Sequence, residues 1–413
     1  MTGFPVKLNR FHYYFGGKKM KKTLIAAMMA AMCVPMFAAP KRATIKVWES
    51  DGPEKKFINW AIKEFPKSNP KYKSLKIVYE PVASTDSRSK IELDGPAGVG
   101  ADIFVAPHDH IGALVNGGHV KENTMANFKA DFIPAAQKGA SYKGKVYGYP
   151  IGIETYGLFY NKALVKEPPK TWDELKAFAK GFNDKSQNKY ACVWEVGNAY
   201  YDIIFMEGFG AELFGPNGND RHQHNINSAA AIKGLKYFQN LRKEILDVPA
   251  ADMSGDFCNS SFAEGKAAMV ITGPWKIADY NALGIDYGIT TIPAFPGDSN
   301  PPASFSGVRL AFVSEYTEYP EEAKAFAEFI CSKAALEQRY QITKQIPPRR
   351  DISVNDPSSQ GILEQSKYAK PMPTIPQMNT YWSSMNAAFS GVWDGDDVTS
   401  ALTNAAAAME AAK

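Results

Sequence analysis

A chain of 413 residues exceeds what one ordinary hydrophobic core organises, so two domains or more are expected. With 45% hydrophobic and 12% aromatic residues, it is too apolar for intrinsic disorder. The formal charge of +4 comes from the N-terminus: residues 1–39 hold six basic side chains (Lys7, Arg10, Lys18, Lys19, Lys21, Lys22) and no acids, and without them 47 basic and 43 acidic residues become a net −2, which removes the electrostatic ground for nucleic-acid or anionic-membrane binding.

In chain order, Lys18, Lys19, Lys21 and Lys22 precede the apolar run 23–39, which ends in small residues. A basic flank, a short apolar core and a small-residue end form a cleavable secretory leader, and the run is too short for a spanning helix of roughly 20 apolar residues. Met20-Lys21-Lys22 is a more natural start than Met1, and Met32 before Cys33 disfavours lipidation. After cleavage Cys192, Cys258 and Cys331 remain, widely spaced and odd in number; buried free thiols are expected, with one disulfide possible.

Thr44–Trp48 reads as a strand, followed by a helix whose apolar face is Phe57, Trp60, Ala61 and Phe65, ending at Pro66. Leu75–Tyr79 and Asp102–Val105 are further strands, and this alternation predicts parallel pairing in an α/β lobe. Ligands of such sheets sit beyond the C-terminal strand ends, where Glu49, Ser50, Asp51, His108, Asp109 and His110 lie. The stretch 146–162 is Tyr-, Ile- and Phe-rich, like extended chain, with Pro150 near its start and Glu154 embedded among apolar neighbours. Burying a bare carboxylate costs several kcal/mol, so Glu154 must be hydrogen-bonded or face a polar cleft. The chain is expected to cross from one lobe to a second here.

Thr171 and Glu174 form a capping box before the apolar face of Leu175, Phe178, Ala179 and Phe182. Tyr190–Trp194 is a strand, Ala199–Asp202 opens a helical region and Ala229–Leu246 is amphipathic. Ser261 and Glu264 match a second capping box, ahead of the buried strand 267–271 that runs into Gly273-Pro274-Trp275. Tyr287–Ile292 is a strand, 293–302 a loop of turn formers, and Ser306–Val313 a return crossing. Two helices joined near Ser332, a Pro-rich segment ending in Tyr381-Trp382 and an alanine-rich helix from Thr399 complete the chain.

No catalytic or cofactor motif stands out. The glycine-rich 94–100 loop lacks the Lys-Ser/Thr of a phosphate loop, His108, Asp109 and His110 have no third metal ligand in sequence, and no nucleophile elbow occurs. What recurs is an aromatic beside a loop: Trp48, Tyr156, Tyr200, Tyr201, Trp275, Tyr381 and Trp382. Most large aromatics are core, but Trp275 and Trp382 come after chain bends that present a ring at a surface. Rings beside acids suit a sugar, whose faces carry C–H groups and whose edges carry hydroxyls.

Several stretches carry a resemblance: Trp48-Glu49-Ser50-Asp51, the 94–109 segment, Gly144–Pro150, Glu154 with Tyr160-Asn161-Lys162, Pro168–Glu174, Phe262–Met269, Gly273-Pro274-Trp275 and Pro373–Met378. In order, they resemble the maltose/maltodextrin-binding proteins of bacterial ABC importers. The resemblance implies a two-lobed periplasmic-binding-protein fold of α/β class, with a ligand cleft between lobes joined by two crossing strands and a third segment. It implies a first lobe of residues 40–152 and 306–355 and a second of 153–305 and 356–413. Glu154 and Asp109 take the places of sugar-contacting acids, and Trp275 and Trp382 those of stacking tryptophans; Asp86 and the Tyr200–Tyr201 pair align more loosely. The chain departs from the best-known maltose binders at Gly52-Pro53, Ala106-Pro107, His110 and Asn386, and its Trp48-Glu49 start is nearer to the oligosaccharide binders of Gram-positive bacteria. A galacto-oligosaccharide or another oligomer therefore stays open beside maltodextrin.

The expected ligand contacts are Glu49, Asp51, Asp86, His108, Asp109, Glu154, Tyr156, Tyr200, Trp275, Tyr381 and Trp382, with no metal or cofactor. The resemblance implies a monomeric periplasmic protein that closes on maltose or maltodextrin, delivers it to a membrane ABC permease and binds no nucleic acid. The rival reading is a secreted glycoside hydrolase using Asp109 and Glu154, since paired acids beside aromatics also describe that site.

Overall fold

The computed structural model describes residues 43–215 and 217–412, so the leader and Cys33 lie outside the described residues. The first strand, β1 (Thr44–Glu49), buries Ile45, Val47 and Trp48. Gly52, at φ 83°, turns the chain into α1 (Pro53–Ser68), with Pro53 at the first helical position where its missing N–H costs nothing. The expected stop at Pro66 is overrun by two residues, since a proline in the last turn removes one hydrogen bond without preventing its completion. β2 (Lys76–Pro81) pairs parallel with one side of β1; after α2 (Ser87–Asp94), β3 (Ile103–Pro107) pairs parallel with the other side.

The 146–162 stretch divides into β4 (Tyr149–Glu154) and β5 (Gly157–Asn161), which belong to different sheets. After β5 come α3 (Trp172–Phe182), β6 (Tyr190–Val193), the short α4 (Ala199–Asp202), α5 (Ala229–Glu244) and α6 (Gly255–Ala263). The Thr171 hydroxyl caps α3 by accepting the Glu174 N–H, and the Glu174 carboxylate reaches back to the Lys170 N–H. The second expected capping box is corrected: Ser261 lies inside the end of α6, whose true N-cap is Ser254. The local pattern is the same, but it caps no helix; the buried strand expected at 267–271 follows it.

That strand is β7 (Ala267–Thr272), buried along its whole length, and β8 (Tyr287–Thr290) comes next. β9 (Phe305–Val313) returns to the first sheet; then come α7 (Pro320–Ile330), α8 (Lys333–Thr343), α9 (Pro357–Ser366), β10 (Lys370–Pro371), α10 (Met378–Asp394) and α11 (Val398–Ala411).

The first sheet has the order β10-β9-β3-β1-β2, with β4 also on β9; the second has the order β8-β5-β7-β6. Each sheet has its own apolar core, and the first draws on Ile45, Phe57, Phe104, Phe312 and Phe326. The second is the aromatic one, with Trp172 stacked on Phe295 and Trp194 edge-on to Trp393. The molecule is thus an α/β protein of two lobes. The passage between them is pinned where it crosses: Thr155, between β4 and β5, donates to the Phe305 carbonyl and shares a hydrogen bond with Ser304 at the entry to β9. Pro150, which has no N–H to give, sits in β4 beside the irregularity at Arg309/Leu310 of its ladder partner, β9.

Cys192, Cys258 and Cys331 are buried free thiols, and burial pushes each of them up in pKa. Among the described residues no helix is long and apolar enough to cross a membrane.

Candidate ligand cleft

A cavity of about 870 Å³ takes one wall from each lobe. The first-lobe wall is made where β1, β2 and β3 end and helices begin: Ser50, Asp51, Ser84, Thr85, Arg88 and Asp109. The second-lobe wall carries Tyr200 and Tyr201 of α4, Trp275 after β7, and Asn379, Trp382 and Asn386 of α10. Gly273 makes the Trp275 position feasible, because a Cβ there would stand 2.2 Å from the indole ring, which folds back over the glycine. The wall's rings are linked from behind by the buried Phe305 of β9. Trp275 lies 6.2 Å from Tyr200, Tyr200 6.3 Å from Phe305, and Phe305 5.9 Å from Trp382, centroid to centroid.

The two walls also touch directly. The Trp382 indole N–H donates to Asp109 Oδ2 at 2.9 Å, joining α10 to the turn after β3. At the floor, Arg309 of β9 links the acid at the end of β1 to the acid at the end of β4. Its Nη2 donates to Glu49 Oε1 at 2.5 Å and to the Ser50 hydroxyl at 2.9 Å, while Nη1 donates to Glu154 Oε1 at 3.3 Å. Glu49 also receives Arg339 at 3.4 Å and the Ser50 N–H at 2.8 Å. Burial by itself would push the Glu49 carboxyl up, but the guanidiniums of Arg309 and Arg339 outweigh it and hold the group below its ordinary value. Glu54 is the reverse case, raised mainly by burial, with Glu49 adding to the rise and Gln345 donating to it at 2.6 Å.

Of the expected contacts, Asp51, Asp109, Glu154, Tyr200, Trp275 and Trp382 line this one cavity, and five do not. Glu49 is fully buried beneath the floor, held by its two arginines. Asp86 is exposed at the start of α2, outside the lining. His108 uses both ring nitrogens, accepting the Val308 N–H and donating to the Met372 carbonyl, and borders a second cavity on other residues. Tyr156 and Tyr381 are wholly buried, their hydroxyls donating to the carbonyls of Tyr201 and Ala199. These five lie outside that lining, in packing, ion pairing, backbone pinning or solvent.

Sequence reasoning passed over Arg309, Glu195, Asn198 and Asn379 and met Asn386 only as a departure from the maltose binders; all are in the lining. Arg309 carried a usable signal: one cation inside the apolar run Val308–Val313, the counterpart of the acid inside 146–162. The asparagines carried none, since isolated amides are ordinary on helices. Among the described residues no group of three or more His, Cys, Asp or Glu is placed to hold a metal ion. The cleft offers flat apolar faces on one side and charged or hydroxyl groups on the other, which suits a neutral ligand rich in hydroxyls.

The sequence profile described as bacterial extracellular solute-binding protein matches residues 60–361. A galactooligosaccharide-binding protein of Bacillus subtilis is 31% identical over 401 residues, covering 92% of this chain and 93% of that protein. A maltodextrin-binding protein of the same organism is 31% identical, covering 76% and 78%. Among solved structures, a cyclo/maltodextrin-binding protein complexed with maltotetraose superposes with a TM-score of 0.74 at 33% identity, covering 90% of this chain and 98% of the other.

Proposed function

The chain belongs to the bacterial extracellular solute-binding protein family, and from that premise we propose that it captures an oligosaccharide, maltodextrin foremost, for an ABC importer. The observation that carries this reading is the cleft itself, an aromatic wall from one lobe facing an acid- and hydroxyl-bearing wall from the other. A hexose lies with its C–H face on Trp275 or Trp382 and turns its hydroxyls to Asp109 and Glu154. The ligand touches both lobes, so it favours the closed state by differential contacts, and closure marks the loaded protein for the permease. The chain acts as a monomer, exported behind a cleaved leader to the periplasm, and breaks no bond.

The lobes comprise 40–152 with 306–355 and 153–305 with 356–413. In support, the first core draws on residues up to Ile151 and from Val308 to Leu336, and the second begins at Tyr156. Ile346, in the third connection, packs with the second core. A galacto-oligosaccharide is the second reading, favoured by the 31% identity to the Bacillus galactooligosaccharide binder over nearly the full length of both chains.

The test is a thermal-shift panel of malto-, galacto- and cello-oligosaccharides, then calorimetry on whichever stabilises. Stabilisation by maltotriose is expected, and no response to any sugar sinks the reading. Incubation with maltotriose decides against or for the hydrolase: release of smaller sugars, abolished by Glu154→Gln, would establish hydrolysis.

A further inference from the structure

Resting on the sugar-capture reading, we propose that Arg309 is a positioning residue, a guanidinium anchored in the first lobe that aims the Glu154 carboxylate into the cleft. The sheet register sets this up. On β9 and β4, Arg309 stands opposite Gly152 and Gly307 opposite Glu154. Arg309 and Glu154 are therefore diagonal neighbours two positions apart, on the same face of the pair. Gly152 has no side chain, so the arginine stem crosses it freely; a Cβ there would already touch the Arg309 Cβ at 3.7 Å and Gln345 Oε1 at 3.4 Å.

On the far side Arg309 stands opposite Pro107 of β3, and its guanidinium reaches across that strand to Glu49 at the end of β1. The Glu49 end is the fixed one. It is buried, shorter at 2.5 Å, and shared with Ser50 and Arg339. The Glu154 end is longer at 3.3 Å and opens onto the cleft. A planar fork gripped on one edge presents its remaining N–H in one direction only, which a flexible ammonium does not. The groups charged or titratable around Glu154 are Arg309, Tyr200 from α4, and, beyond Arg309, Glu49, Glu54 and Arg339. Arg309 is thus the tie through which the β1 end, in the first lobe, fixes the acid at the crossing to the second.

The experiment is a double-mutant cycle read by calorimetry with maltotriose, or with the galacto-oligosaccharide the thermal panel selects. Arg309→Lys keeps the charge but loses the fork, and is expected to weaken binding about tenfold, the size of one charge-assisted hydrogen bond. In the Glu154→Gln background the same change is expected to cost less than about twofold, because the residue it acts through is already altered. Glu49→Gln, outside the cleft, should show the same pattern and serves if Arg309→Lys fails to fold, as checked by thermal unfolding. Equal losses in both backgrounds would overturn the proposal and make Arg309 a direct ligand contact or a purely structural residue. If the native protein binds no sugar, the capture reading falls and this inference falls with it; binding with no coupling refutes the inference alone.

Discussion

The two walls of the cleft are built on different principles. On the first-lobe wall each charged group is already partnered: Asp109 accepts the Trp382 N–H, Asp51 pairs with Lys55, and Arg88 pairs with Glu92. Beneath it, Glu49 is clamped between two buried arginines. The second-lobe wall relies on shape, four large rings set by α4, α10 and the Gly273-Pro274-Trp275 turn. Its acid Glu195 makes no ion pair among the described residues, and burial pushes its carboxyl up. On the proposed sugar capture, orientation falls to one lobe and contact area to the other, so changes on the two walls should fail in different ways.

The largest expected effect lies under the first wall. Glu49→Ala strands Arg309 and Arg339 without their shared carboxylate and should cost about 3–5 kcal/mol of folding stability, the usual penalty for breaking a buried ion pair. Urea unfolding measures it, and a loss below about 1 kcal/mol would show that the clamp is not structural. Next comes the second wall. Trp275→Ala or Trp382→Ala should weaken sugar binding by about 1–3 kcal/mol while leaving the unfolding midpoint nearly unchanged, since both rings are only partly buried. Unchanged affinity in both variants by titration calorimetry would remove stacking from the account.

A smaller effect separates the acids by sign. Glu49 has a lowered folded pKa, so its contribution is complete above the ordinary glutamate value and is lost as pH falls through the folded one. Glu195 has a raised folded pKa, so the stability it contributes is present below its ordinary value and is lost as pH rises through the folded one. Glu195→Gln removes that dependence, and the variant should gain stability relative to the native protein as pH rises above the ordinary glutamate range. A thermal-unfolding difference that is flat or falls as pH rises above the ordinary glutamate range contradicts the burial argument. The smallest effect is at Asp86. It caps no helix by its side chain and lies outside the cleft, so Asp86→Ala should change stability by less than about 0.5 kcal/mol and leave sugar affinity unchanged. A clear loss of affinity would put it back into the site.

Much of this was legible locally. The alternation of strands and helices, the Thr171 cap and the break inside 146–162 come from period, capping and turn chemistry, which act over a few residues. Glu154 stood out because an acid in an apolar run has to be explained. The Ser261 match failed because a capping box is a four-residue signal, while the apolar residues beyond it take their conformation from the sheet that β7 enters.

By itself the sequence determined the α/β class, the secretory pattern, and a set of acids and tryptophans near strand ends and bends. Tertiary structure alone decided which of them share a cavity. Glu49 and Asp51 are two residues apart and chemically alike, yet one is sealed under the floor and the other lines the cleft. Tyr156 and Tyr200 both lie beside loops, and only Tyr200 reaches the cleft. The deciding partners, Arg309 and Arg339, lie 260 and 290 positions from Glu49. Burial and charge pairing are set by contacts between distant segments, and no local period carries them.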